Sequence, residues 1–368
     1  MERRCKMAEG KQDIRQSNME LLRIICMAII IVFHILTQTK AGSLSIETGI
    51  NYILVIISGF GGRLVCNCFV MIGAWFLTES NFKAERILKL WLEVYFYAVL
   101  ITILCMILNV GNANIVTLVQ AFFPIYGRPV WFAAEYMCML ILSPFMNKLL
   151  ETNHEICKKL LIIFGVLIIG CATMFPIEHT TPAFSELVWF CFLYLLIGYW
   201  KKFPIYFCQK KGLCWILFGI TYLVQCVLYI MCVNCGVVQL RTIANYYMHH
   251  YETLLAFLSS IFLFYAMKNT HISYNRVINT IARSAFAVYL IHQIPAFYPF
   301  LWNGIFQVDS HVYEEYFFLY IIGIEILLFV FGVISEKIRS CFFSYFVYNC
   351  ITYERVVNFL GKYIDIKE

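Results

Sequence analysis

Charge is what this chain has least of. Asp, Glu, Lys and Arg make up 14% of its 368 residues, while 61% are hydrophobic and the mean hydropathy is +0.75. One soluble core cannot house that much apolar surface, so a water-soluble globular enzyme is excluded and an integral membrane protein is required. Proline is also scarce, eight residues in all. The apolar stretches are about 17–25 residues long, which crosses a bilayer as helix and not as barrel strand. The fold class expected is all-α, a polytopic membrane helical bundle. Glycine-rich phosphate loops, nucleophile elbows and clear internal repeats are missing too, which removes the usual nucleotide-cradling and serine-hydrolase signatures.

Hydropathy places spans near 18–38, 52–78, 87–108, 131–147, 160–175, 187–200, 213–233, 251–267, 284–303 and 316–335. Ten spans put both termini on one side, and lysine and arginine should then gather in alternate connections. Arg3, Arg4, Lys6, Lys11 and Arg15 lie in the tail. Lys83, Arg86 and Lys89, then Lys148, Lys158 and Lys159, then Lys201, Lys202, Lys210 and Lys211 follow in inner segments. Lys268, Arg276 and Arg283, and finally Lys337, Arg339, Arg355, Lys362 and Lys367, complete the set. The opposite connections hold Lys40, Arg128 and Arg241. About ten transmembrane helices with both termini cytoplasmic is the topology expected. Residues 1–17 read as a cytoplasmic tail and not a signal peptide, being charged and lacking a small-residue cleavage site. Residues 18–338 form the transmembrane domain, and 339–368 an amphipathic segment on the inner surface. The net charge of +6 is spread over loops without a basic stripe, so no nucleic-acid partner is expected.

The 16 cysteines are mostly scattered through apolar spans, where free cysteine packs as a small hydrophobe. Cys232 and Cys235 have C-x-x-C spacing, but no second pair of ligands completes a tetrahedral zinc site. No metal is expected.

Polar residues inside the spans carry the functional argument, because an ionisable group at membrane depth is costly. His34 lies eleven residues beyond Arg23, about 16 Å along a helix. Topology places Glu135 near the same outer surface, so the two could meet. Arg63 falls near the midplane of span two, and His292 follows Tyr289 in span nine. Arg86 and Lys89 mark the inner mouth. Arranged by depth, these groups can line a polar track for transmembrane group transfer. An imidazole with an unperturbed pKa near 6.5 can take a proton from a hydroxyl attacking a thioester. Arg86 and Lys89 share a helix face and can hold donor phosphates or simply anchor the helix end. A histidine in a helix interface is the alternative for His34. Glu93 and Glu325 are intramembrane without an assigned role.

Asn18-Met-Glu-Leu-Leu-Arg23 with His34 eleven residues on resembles the opening signature of the membrane acyltransferase-3 family, bacterial ten-helix enzymes that modify surface glycans. Arg63 to Leu77 resembles its second-helix motif, with Gly73-Ala74 where a hydroxyl residue and glycine are usual. Pro129-Val-Trp131-Phe132 through Glu135-Tyr136 to Ser143-Pro144-Phe145-Met-Asn147 is similar to its fourth-helix motif. Ser284-Ala-Phe-Ala-Val-Tyr289-Leu-Ile-His292 resembles its late Tyr-Leu-Ile-His segment. The resemblance implies an O-acyltransferase of the bacterial plasma membrane. It would move an acyl group, commonly acetyl and alternatively succinyl, from cytoplasmic acyl-CoA to a hydroxyl of a surface glycan or lipid-linked saccharide. It implies His34 as the catalytic residue and Arg86 and Lys89 as the donor-binding pair; Glu135, the second catalytic candidate, can orient His34, bind sugar or only bond a helix. Lys89 stands where many members carry a second arginine and lacks the bidentate fork. Arg63, Tyr289, His292 and Trp131 are expected to bind substrate or support the bundle. Acyl-CoA is expected as a substrate, with no permanently bound cofactor, and membrane lipid as the surroundings. A fused soluble domain is not expected, because no polar segment is long enough to form one. The rival reading is a glycan transporter or flippase on a similar scaffold, but the paired broken segments of a repeat-built transporter are not apparent.

Overall fold

The computed structural model describes residues 16–45, 49–176 and 185–364; Arg3, Arg4, Lys6, Lys11, Arg15 and Lys367 lie outside them. Among the described residues the chain is all-helical, with no strand. Helix α1 is Ser17–Gln38, α2 Ile50–Gly59, α3 Leu64–Leu77 and α4 Ala84–Leu108. Then come α5 Ile115–Phe122, α6 Trp131–Thr152, α7 His154–Met174 and α8 Glu186–Lys202. The second half holds α9 Lys211–Asn234, α10 Val238–His249, α11 Leu254–Lys268, α12 Arg276–Arg283 and α13 Ala285–Gln293. It ends in α14 Phe317–Phe346 and α15 Ile351–Ile364.

Seven segments among the described residues are long and apolar enough to cross a membrane: α1, α2 with α3, α4, α7, α9, α10 with α11, and α14. The expected fourth and sixth spans are the single helices α6 and α8, the latter only 17 residues long. The expected ninth span, 284–303, is broken. Helix α13 stops at Gln293, and the chain resumes as a short turn at Tyr298–Phe300 and a π-helical turn at Leu301–Ile305. Pro295 explains the stop: it lacks an N–H and drives Ile294 to the extended conformation, observed at φ −66°, ψ 121°. Helix α14 runs past residue 338, so Arg339 is buried within it. Its guanidinium bonds Glu336 at 2.8 and 2.6 Å and lies 3.5 Å from Glu93 of α4.

Helix α1 is the axis of the bundle, packed by α2, α3 and α11 to α14. It is apolar on all sides, the pattern of a helix enclosed by neighbours. By contrast α9 turns Ile216, Ile220, Leu223 and Val227 outward, a surface suited to lipid and too apolar for water. Buried amides join the helices. Asn18 donates to the Met267 and Lys268 carbonyls at 3.0 Å each, satisfying the open end of α11. Asn67, fully buried, donates to Tyr251 O and Ser260 Oγ and accepts from Trp189 Nε1 at 2.8 Å. Asn147 donates to Leu77 O and accepts from the Tyr194 hydroxyl. Much of the motif chemistry in spans one, two and four is thus interhelical hydrogen bonding.

Span two is interrupted by the 3-10 turn Phe60–Gly62. The Tyr222 hydroxyl enters the gap, accepting from Gly61 N–H at 3.2 Å and donating to the Ile57 carbonyl at 2.7 Å. An inserted side chain of this kind bends a helix while leaving its backbone groups satisfied. Gly59 and Gly62 lie against Val32, Leu36 and Phe33 so closely that a Cβ would overlap them. The bend therefore carries Arg63, the residue before α3, to the face of Phe33.

Candidate active site

Arg23, Met27, Ile30 and His34 rise along one face of α1, since eleven residues of helix return to within about 20° of the starting direction. Arg23, Met27 and Ile30 line a cavity of about 250 Å³ together with Cys66, Glu93, Phe132, Tyr136, Arg283 and Tyr289. His34 lies just beyond it, its ring 6.5 Å from that of Tyr289. On the far side opens a vestibule of about 840 Å³. Thr37, Tyr52, Gln239, Thr242, Asn245, Tyr246 and His249 give it polar walls. Phe33, the neighbour of His34, meets His249 edge-on at 5.6 Å. Along α1 the histidine thus falls between the residues that line the one cavity, Arg23 to Ile30, and those that line the other, Leu36 and Thr37.

The partner of His34 is another histidine. His34 Nδ1 lies 3.0 Å from His292 Nε2, and His292 Nδ1 lies 2.6 Å from the Val288 carbonyl. The carbonyl can only accept, so His292 carries its proton on Nδ1. In the neutral pair, His292 Nε2 is then an acceptor and His34 Nδ1 must donate to it. The lone pair of His34 is left on Nε2. This relay fixes both tautomers from one backbone oxygen, as a second group usually does for a working imidazole. His292 is fully buried, whereas His34 is part-exposed. Gln38, one turn beyond His34, closes the site: it accepts from Trp302 Nε1 at 2.7 Å and donates to Gln293 Oε1 at 3.3 Å.

The other expected site residues fall in three places. Arg63 sits with its Cζ 4.9 Å from the Trp131 ring centroid and 5.9 Å from that of Phe33. Trp131 also stacks on Tyr251 with 3° between the planes. Tyr289 borders His34, His292 and the 250 Å³ cavity. Glu135 is not brought to His34: it pairs with Arg128 at 3.0 Å. Arg86 and Lys89 are exposed and point to different neighbours. Arg86 donates to Ser80 Oγ at 2.9 Å, while Lys89 pairs with Glu85 at 2.7 Å and lies 5.0 Å from the Tyr348 ring centroid. The cations on the cavity wall are instead Arg23, which pairs with Glu20 at 2.9 Å, and Arg283. Arg23 was findable from its place on the His34 face; no local pattern singles out Arg283. Gly73, at the unusual position of the second-helix motif, lets the Tyr136 hydroxyl approach the α3 backbone. Among the described residues no group of three His, Cys, Asp or Glu side chains is placed to hold a metal.

Chemically, the centre offers an imidazole with a lone pair on Nε2, on the stretch of α1 between a mostly apolar cavity whose wall includes Arg23, Arg283 and Glu93 and a second cavity with several polar wall residues. The family model for an acyltransferase domain matches residues 16–336, which include every residue of the histidine relay and of both cavity walls. Neither the curated proteins nor the solved structures hold a match to the chain. The chain, a multi-pass helical membrane protein, belongs to the acyltransferase-3 family.

Proposed function

We propose that this protein is an O-acyltransferase of the bacterial plasma membrane. It moves an acyl group, acetyl by default, from cytoplasmic acyl-CoA to a hydroxyl of a surface or lipid-linked carbohydrate. The observation that carries the reading is the relay Val288–His292–His34, which leaves the His34 Nε2 lone pair available between the two cavities. In the reaction that lone pair takes the proton of the acceptor hydroxyl as its oxygen attacks the thioester carbon. The C–S bond breaks on collapse of the intermediate, and the departing thiolate takes the proton from His34. Base and positioned partner of this kind contribute about 10²–10⁴ in rate.

The donor enters from the end bearing Arg23 and Arg283, whose guanidinium groups suit phosphates. Arg86 and Lys89, exposed in the first turns of α4 and outside the cavity lining, would meet the donor only on its way in. The acceptor occupies the 840 Å³ vestibule, a volume within the usual range for organic ligands. Glu135 acts through Arg128, fixing the segment that presents Trp131. The seven long apolar segments, together with α6, α8 and the α12–α13 pair, make ten crossings with both termini in the cytoplasm. The distribution of lysine and arginine supports that orientation.

The test is acyl transfer by purified protein in nanodiscs, using acetyl-CoA and a panel of surface glycans. Acetylated glycan with stoichiometric free CoA is the expected product. Absence of acetyl-CoA binding and turnover across the panel would count against the reading.

A further inference from the structure

Phe33, His34, Tyr289, Phe132, Trp131 and Arg63 close a circuit. Consecutive ring centroids lie 5.7 Å apart from Phe33 to His34, 6.5 Å to Tyr289, 6.0 Å to Phe132 and 5.8 Å to Trp131. The Arg63 guanidinium completes it, 4.9 Å from Trp131 and 5.9 Å from Phe33. Phe132 and Tyr289 belong to the donor-side cavity wall. Arg63 and His34 therefore flank the same residue, Phe33, on one collar where a thioester reaching up the cavity would meet the base.

Among the described residues no carboxylate pairs with Arg63. Its Nε is buried without a hydrogen-bond partner among the described residues. The other deep arginine, Arg339, also has one unpartnered buried nitrogen, Nη1, but it is held by two hydrogen bonds to Glu336 and lies near Glu93. A guanidinium at membrane depth is costly unless something negative offsets it. At Arg339 the offset is permanent. At Arg63 two aromatic faces give partial compensation, and the Nε–H has no partner among the described residues.

We infer that Arg63 is the oxyanion-stabilising residue of the acyl transfer, donating to the thioester carbonyl oxygen when it becomes the alkoxide of the tetrahedral intermediate. The inference rests on the reading of His34 as base. As the acceptor oxygen bonds to the carbonyl carbon, the C=O π electrons move onto that oxygen, where the guanidinium neutralises them. They return when the C–S bond breaks, so no other reactant is consumed. The charge Arg63 lacks in the resting protein is the one that appears in the transition state, where a prepositioned donor has most effect. The aromatic collar and the glycines of the span-two bend hold it there.

The test uses full-length protein in nanodiscs with acetyl-CoA as donor and a soluble methyl glycoside, or water, as acceptor. It compares wild type, Arg63→Gln, Arg63→Lys, Arg63→Ala and His34→Ala. Loss of one oxyanion donor lowers kcat by about 10²–10³, so Arg63→Gln should fall by that factor with its KM for acetyl-CoA little changed. Arg63→Lys should recover part of the loss, and added guanidinium should partly rescue Arg63→Ala. A purely structural arginine would show no such rescue. Unchanged kcat in Arg63→Gln, with His34→Ala inactive, overturns this inference alone. A loss confined to KM also overturns it, making Arg63 a donor-binding group. A loss seen with succinyl-CoA but not acetyl-CoA makes it a site for the acyl carboxylate and overturns it equally. Full activity in His34→Ala overturns the underlying reading instead. If Arg63→Gln does not fold, Arg63→Lys decides: kcat and KM equal to wild type overturn the inference, and a drop in kcat alone upholds it.

Discussion

His34 Nδ1 and His292 Nε2 lie 3.0 Å apart although 258 residues separate them in sequence. The contact assigns the two rings different work, because only His292 has a backbone carbonyl on its other nitrogen. In the proposed reaction His34 is the base and His292 its positioning residue.

Removing the acceptor from His34 should therefore impair catalysis more than binding. His292→Phe is expected to lower kcat by about 10²–10⁴, the scale on which loss of a fixed tautomer acts, with KM for acyl-CoA nearly constant. His292→Gln, whose side-chain oxygen can still accept from Nδ1–H, should retain a larger share. Steady-state kinetics on the two variants checks this; equal losses in both would show that the hydrogen bond is not what matters.

Donor affinity should follow the cavity cations and not the exposed pair at the helix end. Arg23→Ala and Arg283→Ala each remove a charged hydrogen-bond donor worth about 1.5–3 kcal/mol, equivalent to a roughly tenfold to hundredfold weaker Kd for acyl-CoA. Lys89→Ala should change it by less than about threefold, since Lys89 is exposed and lies outside the cavity lining. Equilibrium binding of labelled CoA distinguishes them, and a Lys89 effect larger than that of Arg23 would contradict the assignment.

Asn67 serves the bundle and not the reaction. Asn67→Leu strands the donor and acceptors it now satisfies on Trp189, Tyr251 and Ser260, at a cost of about 1–3 kcal/mol for an unpaired buried group. Thermal unfolding in detergent should shift downward, while kcat per folded molecule holds. A kcat loss without any change in unfolding would place Asn67 in the chemistry.

Gly62 should tolerate no side chain. A Cβ there overlaps Phe33, and overpacking typically costs about 1–3 kcal/mol. Gly62→Val is expected to lower both the unfolding midpoint and kcat, because the displaced Phe33 sits between His34 and Arg63. Gly170→Ala, where a Cβ meets nothing within 4 Å, is the control and should leave activity as it was.

Hydropathy was enough to locate most of the helices, because each is a long apolar run. It also brought forward His34, His292 and Arg63 as ionisable residues at membrane depth, while Tyr289 and Trp131 came from the family motifs. What it lacks is rotation and pairing. Glu135 shares an expected depth with His34, yet the helix turns its carboxylate to Arg128. Lys89 shares a helix face with Arg86, yet Glu85, one turn earlier, captures it. Arg339 reads as a loop cation because charge normally ends a span; in the folded chain Glu336 and Glu93 neutralise it and α14 continues. Span nine looks continuous to a hydropathy window, which is blind to the missing N–H of Pro295. Each of these outcomes depends on a neighbour distant in sequence or on local backbone chemistry, and composition averages both away.

The most direct measurement is single-turnover transfer of a radiolabelled acetyl group from acetyl-CoA by wild type and His34→Ala, with acetyl-CoA binding measured on the same samples. The account predicts that His34→Ala binds the donor normally and transfers at least about 10²-fold more slowly. Transfer at the wild-type rate by His34→Ala would contradict it.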